Sequence, residues 1–93
     1  IDEILSILLA NSDHNKCLYD LKELKTQKFK KEDKEDLNEM IKFADLLVDY
    51  ENLCKTYKAT YRQKAVLLTQ INQQREACWR IYLKRIDKQE KNL

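Results

Sequence analysis

The side chains of this chain best suited to chemistry are its cations, and the chemistry they offer is electrostatic. Arg80, Lys84, Arg85, Lys88 and Lys91 crowd the end of the sequence. At the end of a helix such residues are favoured by the partial negative charge of the last carbonyls. Lys55, Lys58 and Arg62 form a second group, on one helical face and without nearby acids. They offer a patch to lipid headgroups or an acidic partner, or simply a solvated face. Catalysis finds less to work with. His14 is the single histidine and stands in a turn-type stretch with no catalytic constellation or ligand spacing around it, so no active site is expected. Cys17, Cys54 and Cys78 are odd in number and show no CxxC or other metal spacing. They are expected to be reduced and structural, in a cytosolic or nuclear compartment. With no glycine in the chain, phosphate loops are excluded. No cofactor, metal or small-molecule substrate is expected.

What must position these residues is helix. The 93 residues contain no Gly and no Pro, where average usage would give about a dozen of the two together. With 37% charged residues and strong helix formers throughout, the composition fits an all-α fold of extended helices. The formal net charge of +2 does not mark a nucleic-acid binder. Charge is nonetheless segregated. Residues 32–51 carry eight acids against two lysines, whereas residues 52–75 carry five bases (Lys55, Lys58, Arg62, Lys64, Arg75) and no acid. No stretch approaches the ~18 apolar residues of a membrane span. Because Ile1 is not a natural start, the chain is expected to be cut from a longer one.

Apolar spacing over 1–10 (Ile1, Ile4, Leu5, Leu8, Leu9) predicts the end of a helix. Asn-Ser-Asp-His-Asn at 11–15 is the expected turn, and helix resumes over 16–32. At 25–36 apolar residues thin out. Either a loop precedes a helix capped by Asp33 with acids in its first turn, or one solvated helix runs straight through; the absence of Gly and Pro favours the second. From there a single helix is expected over 33–91, continuous with 16–32 in that reading and roughly 90 Å long at 1.5 Å per residue.

A heptad seam runs through that helix: Met40, Phe43, Leu47, Tyr50, Cys54, Tyr57, Tyr61, Lys64, Leu68, Ile71, Arg75, Cys78 and Tyr82. Eleven of the thirteen are apolar or aromatic, a periodicity that keeps one face on a partner. These eleven are the expected helix-packing interface. Tyr50, Tyr57 and Tyr61 could be stacking platforms for single-stranded nucleic acid, but their seam positions point to core packing. Lys64 and Arg75 interrupt the seam, either snorkelling to water or fixing register. Leu37, Ala44, Leu46, Leu53, Ala65, Leu67, Trp79, Ile81 and Ile86 widen it on both flanks, which favours a bundle of three or more helices.

Within this stretch, residues 43–64 resemble the start of the second long helix of sorting-nexin BAR domains. The residues that carry the resemblance are Ala44, Asp45, Leu46, Leu47, Asp49, Tyr50, Leu53, Lys58, Ala59, Tyr61, Gln63 and Lys64. The resemblance extends more loosely over 5–83, and the PX domain, most of the first BAR helix and the whole third helix are missing from it. The resemblance implies a BAR-like antiparallel helical bundle fragment, homo- or heterodimerising through its long helices. It also implies a cytoplasmic protein, peripheral on endosomal membrane, that acts in membrane remodelling. Arg80, Lys84, Arg85, Lys88 and Lys91 would then reach the distal tip and, with Lys55, Lys58 and Arg62, meet phosphoinositide or other anionic headgroups, each cation contributing about 1 kcal/mol. The alternative is a structural coiled-coil subunit of a protein assembly that never touches a membrane.

Overall fold

A computed structural model describes residues 2–10, 14–56 and 60–91, the side chains of 2, 14 and 89–91 excepted. Among the described residues there are four helices and no strand: α1 (Asp2–Leu9), α2 (His14–Lys25), α3 (Lys31–Cys54) and α4 (Tyr61–Lys91). The chain is an all-α bundle. Each helix buries the residues its periodicity brings to one side: Leu5 and Leu8 on α1, Cys17 and Leu21 on α2, Leu37, Met40, Phe43, Ala44 and Leu47 on α3, and Ile71, Cys78 and Ile81 on α4. They form a single core, and each fully buried large side chain contributes roughly 1.5–3 kcal/mol of transfer free energy.

The single helix expected over 33–91 is not what forms. The chain reverses after Cys54 and α4 runs back antiparallel along α3, so that Glu39 meets Gln74 and Glu32 meets Lys88. The longest dimension is accordingly 51 Å, not the length of an unbroken rod. Threonines flank this break in a chain that has no Gly or Pro. Thr56 turns its hydroxyl back onto the Asn52 carbonyl at 3.0 Å, the bond that Thr69 also makes to Ala65 within unbroken α4, so it accompanies the end of α3 without enforcing it. Thr60 then opens α4 with a complete capping box: the Gln63 amide donates to Thr60 Oγ1 at 3.2 Å, and the Thr60 amide donates to Gln63 Oε1 at 3.0 Å.

Continuity between 16–32 and 33–91 also fails, for a related reason. Helix α2 ends at Lys25, where the Thr26 hydroxyl donates to the Glu23 carbonyl at 2.7 Å. Lys30 then takes an extended backbone (φ −62°, ψ 154°) before α3 begins. The loop between them is anchored by Phe29, which packs against the core. Acids do occupy the first turn of α3, Glu32 and Asp33, where they complement its dipole. The cap position, however, belongs to Lys30 and not to Asp33. Of the expected turn at 11–15, residues 11–13 lie outside the described residues.

Helix lengths decide where the core can be. The 8 residues of α1 and 12 of α2 must flank the 24 of α3 and 31 of α4. At 1.5 Å per residue the short pair covers roughly 12–18 Å of a hairpin some 36–47 Å long. The core therefore lies at one end, between Asp36 and Leu47 on α3 and Ile71 and Ile81 on α4. Among the described residues none between Leu47 and Ile71 is buried. The far end of the hairpin projects unflanked.

Candidate interaction surfaces

Of the expected packing residues, Met40, Phe43, Leu47, Ile71 and Cys78 are buried, and Tyr50 and Tyr82 are partly so. The middle of the seam is not. Cys54 is exposed, Tyr61 is 89% exposed and Leu68 is 41% exposed, because they fall on the projecting end of the hairpin. Tyr57 lies outside the described residues. On α4 the buried line is Ile71, Gln74, Cys78 and Ile81, which keeps the heptad spacing but replaces Arg75 and Tyr82 by their neighbours. Gln74 earns that place by hydrogen bonding: its amide donates to the Glu39 carbonyl at 3.0 Å and to the Glu39 carboxylate at 2.5 Å. The Cys78 thiol lies 3.7 Å from the same carbonyl, and burial, then the nearby Glu39 and Asp36 carboxylates, push it up to about 12. Arg75 sets its guanidinium 5.8 Å from the centre of the Phe43 ring, within cation–π range. Lys64 is partly exposed on the projecting end.

The cations at the end of α4 are placed differently from a free headgroup-binding cluster. Arg85, with its side chain 18% exposed, donates one nitrogen to both Asp33 and Asp36 at 2.9 Å. Lys84 reaches Glu32 at 2.9 Å and Asp36 at 4.0 Å, and Lys88 reaches Glu32 at 3.1 Å. Hydrogen bonds and charge from these two lysines hold the Glu32 carboxyl down to about 2. Three cations thus face three carboxylates across the α3–α4 seam, and the group sums to zero charge. Glu32 and Asp33 also sit in the first turn of α3, where its dipole favours them. Arg80 faces solvent and pairs along its own helix with Glu76 at 3.6 Å. The Lys91 side chain lies outside the described ones.

Lys55 and Arg62 are exposed, and Lys58 lies outside the described residues. Lys55 and Arg62 do not share a helical face, since Lys55 caps the end of α3 and Arg62 belongs to the first turn of α4. They meet instead at the projecting end of the hairpin, where Leu53, Arg62, Gln63, Val66 and Leu67 line a shallow apolar depression. A second groove runs between α1 and α4 past Leu9, Arg75 and Trp79. Trp79 stacks on Tyr82 with ring centres 5.3 Å apart, and remains 47% exposed.

No protein-family model matches this chain, and no curated protein or solved structure matches it either. The residues that carry the sorting-nexin resemblance span the end of α3, the turn and the start of α4. Among them Ala44 and Leu47 are core residues, while Gln63 belongs to the capping box. Among the described residues no group of three or more His, Cys, Asp and Glu is arranged to hold a metal ion. No helix there is long and apolar enough to cross a membrane.

The residues that matter most in these surfaces and were absent from the expected sites are Glu32, Asp33, Asp36, Glu39 and Gln74. Their signal was the segregation of acids at 32–51 from the bases at the end of the chain. Placed on one straight helix, the two zones could not meet; folded as a hairpin, they neutralise each other.

Proposed function

We propose that this chain is a helix-packing module of the sorting-nexin BAR type, whose work is to associate with other long helices at the cytoplasmic face of an endosomal membrane. The observation that carries this reading is the apolar surface of α4 that its own bundle leaves uncovered: Val66, Leu68, Trp79 and Leu83 are 41–55% exposed. Large apolar side chains left this exposed on one helix support an interaction role, and Trp79 with Leu83, one turn apart, gives the densest part of that surface. The motif at 43–64 supplies the family. Under this reading the membrane contact falls to the projecting end of the hairpin, where Lys55 and Arg62 are exposed beside Leu53 and Val66.

A second reading is favoured by the neutralised cluster. A chain that spends Lys84, Arg85 and Lys88 on its own Glu32, Asp33 and Asp36 has withdrawn much of its positive charge from an anionic surface. It would then be a structural subunit of a helical assembly without membrane contact. Co-sedimentation with phosphatidylserine and phosphoinositide vesicles at rising salt separates the two. Pelleting that fades with salt and is lost in Lys55→Glu/Arg62→Glu supports the membrane module. Absence of pelleting at every salt concentration leaves the structural subunit.

A further inference from the structure

A dense group of cations lies at the opposite end of the hairpin from the projecting turn. Lys22, Lys25, Lys28, Lys30, Lys31 and Lys34 surround the break between α2 and α3, and all six are exposed. Among the described residues none of the six pairs with an acid. The acids nearest in sequence are committed elsewhere. Glu32 and Asp33 face Lys84, Arg85 and Lys88 across the α3–α4 seam, and Glu23 interacts with the Tyr19 hydroxyl. Of the acids in the described stretch 22–35, only Glu35 has no such commitment. Helix electrostatics does not account for the placement. Lys22 and Lys25 suit the last turns of α2, but Lys30 and Lys31 stand at the cap and first position of α3, where the dipole opposes a cation. Residues set against a local preference are expected where function has overruled folding.

The patch has a shape as well as a charge. Lys25 and Lys34 line one depression between α2 and α3, about 170 Å³ in volume, together with Leu37 and Asn38. Lys31, Lys34 and Asn38 recur at three and four residues, which sets them on one stripe of α3, and Lys22 stands one turn before Lys25 on α2. The chemistry of lysine narrows the ligand. No arginine occurs before Arg62, so the patch lacks the planar fork that grips a carboxylate in two bonds. It offers compact point charges instead, of the kind that gather phosphate oxygens. A single phosphate group carries at most about two negative charges, too few to engage the whole patch. We propose that the α2–α3 groove binds clustered phosphate groups, Lys25, Lys34 and Asn38 holding one phosphate in the depression while Lys22, Lys28 and Lys31 draw those beside it. This chemistry is common to soluble polyphosphates and to phosphorylated lipid headgroups. The site is separate from the projecting end, and it neither needs nor replaces the contacts proposed there.

Inositol hexakisphosphate is the probe, titrated into the chain by calorimetry at physiological ionic strength. Lys25→Ala/Lys34→Ala and, separately, Asn38→Asp should each weaken binding at least about tenfold, the scale of losing one or two charge-assisted hydrogen bonds. All three side chains are exposed, so circular dichroism should show the helices intact. Lys16→Ala/Lys64→Ala removes the same charge away from the groove and should weaken binding less than about twofold. Vesicles carrying a phosphoinositide, set against phosphatidylserine vesicles of equal charge, distinguish the sources. Pelleting on the first alone, competed away by the hexakisphosphate and lost in Lys25→Ala/Lys34→Ala, makes the ligand a headgroup. Hexakisphosphate binding without such pelleting makes it a soluble molecule, and either result supports the site. Equal weakening in the control pair reveals diffuse attraction to net charge and overturns the site, as does absence of hexakisphosphate binding. Tighter binding of a single-stranded RNA oligonucleotide than of the hexakisphosphate overturns the compact ligand. The membrane reading is tested through Lys55 and Arg62, so the two can fail separately.

Discussion

Arg85 is the residue whose removal tests the α3–α4 pairing most directly. Its guanidinium is the shared partner of Asp33 and Asp36, and the Asp36 side chain is 9% exposed. Changing Arg85 to Met keeps the apolar stem and leaves the Asp36 carboxylate buried with only Lys84 near it, at 4.0 Å. Stranding one partner of a fully buried pair costs about 3–5 kcal/mol. Because the Asp33 side chain is 33% exposed and Arg85 itself 18%, water recovers part of this, and about 2–4 kcal/mol is the working figure. For a domain of this size that lowers the melting temperature by about 10–25 °C. The control is Lys88→Met. Its pair with Glu32 is more than half exposed on both sides, so the loss is at most about 1 kcal/mol. Arg85→Met/Asp36→Leu, which removes both charges, should recover most of the stability lost by Arg85→Met alone, since an apolar pair replaces the stranded carboxylate. Urea unfolding followed by far-ultraviolet circular dichroism gives all three values. Equal losses for Arg85→Met and Lys88→Met would refute the reasoning, because the difference rests entirely on burial.

Three further outcomes follow from named contacts. Glu32 titrates at about 2 in the fold against an ordinary value of 4.5. Its folded value is the lower one, so its contribution is present above pH 4.5 and disappears as pH falls toward 2; Glu32→Gln should flatten that part of the stability–pH profile, and added salt should weaken the effect. Thiol labelling under native conditions should modify Cys54 rapidly, while Cys17 and Cys78, buried at 4% and 0% exposure, react only after unfolding; equal rates at all three would contradict the packing. Phe43→Ala empties the centre of the core and removes the ring beneath Arg75, and a loss of about 3–5 kcal/mol is expected from equilibrium unfolding.

Much of the bundle was legible in the sequence because its signal is apolar and periodic. Met40, Phe43 and Leu47 declare the buried face of α3 directly, and the breadth of the apolar stripe demanded more than one neighbour. The reversals were not legible by the usual punctuation, since no Gly or Pro marks them. Thr26, Thr56 and Thr60 mark them instead, through hydroxyl bonds that require knowing which carbonyl or amide each can reach. The Thr60-x-x-Gln63 capping box is a sequence signal in its own right, but Gln63 lay inside a motif with another meaning. On α4 the buried line shifts by one residue to take in Gln74 and Ile81. Gln74 is polar, and only Glu39 on the opposite helix explains why it is inside. The ionic cluster was hidden by the same reversal, because its acids and bases are about fifty residues apart until the hairpin closes.

The stepped lengths of the helices also divide the molecule by lifetime. At the flanked end, amides of α3 and α4 are covered by the core and clamped by Arg85, so their exchange with solvent deuterium requires separation of the whole bundle. Between Leu47 and Ile71 the two helices have only each other, and their hydrogen bonds can open by fraying from the turn inward at a fraction of the global free energy. Exchange protection should therefore be greatest over Met40–Leu47 on α3 and Ile71–Ile81 on α4, and should fall from there toward the turn. The hairpin is a clamp at one end and a pair of loose tines at the other.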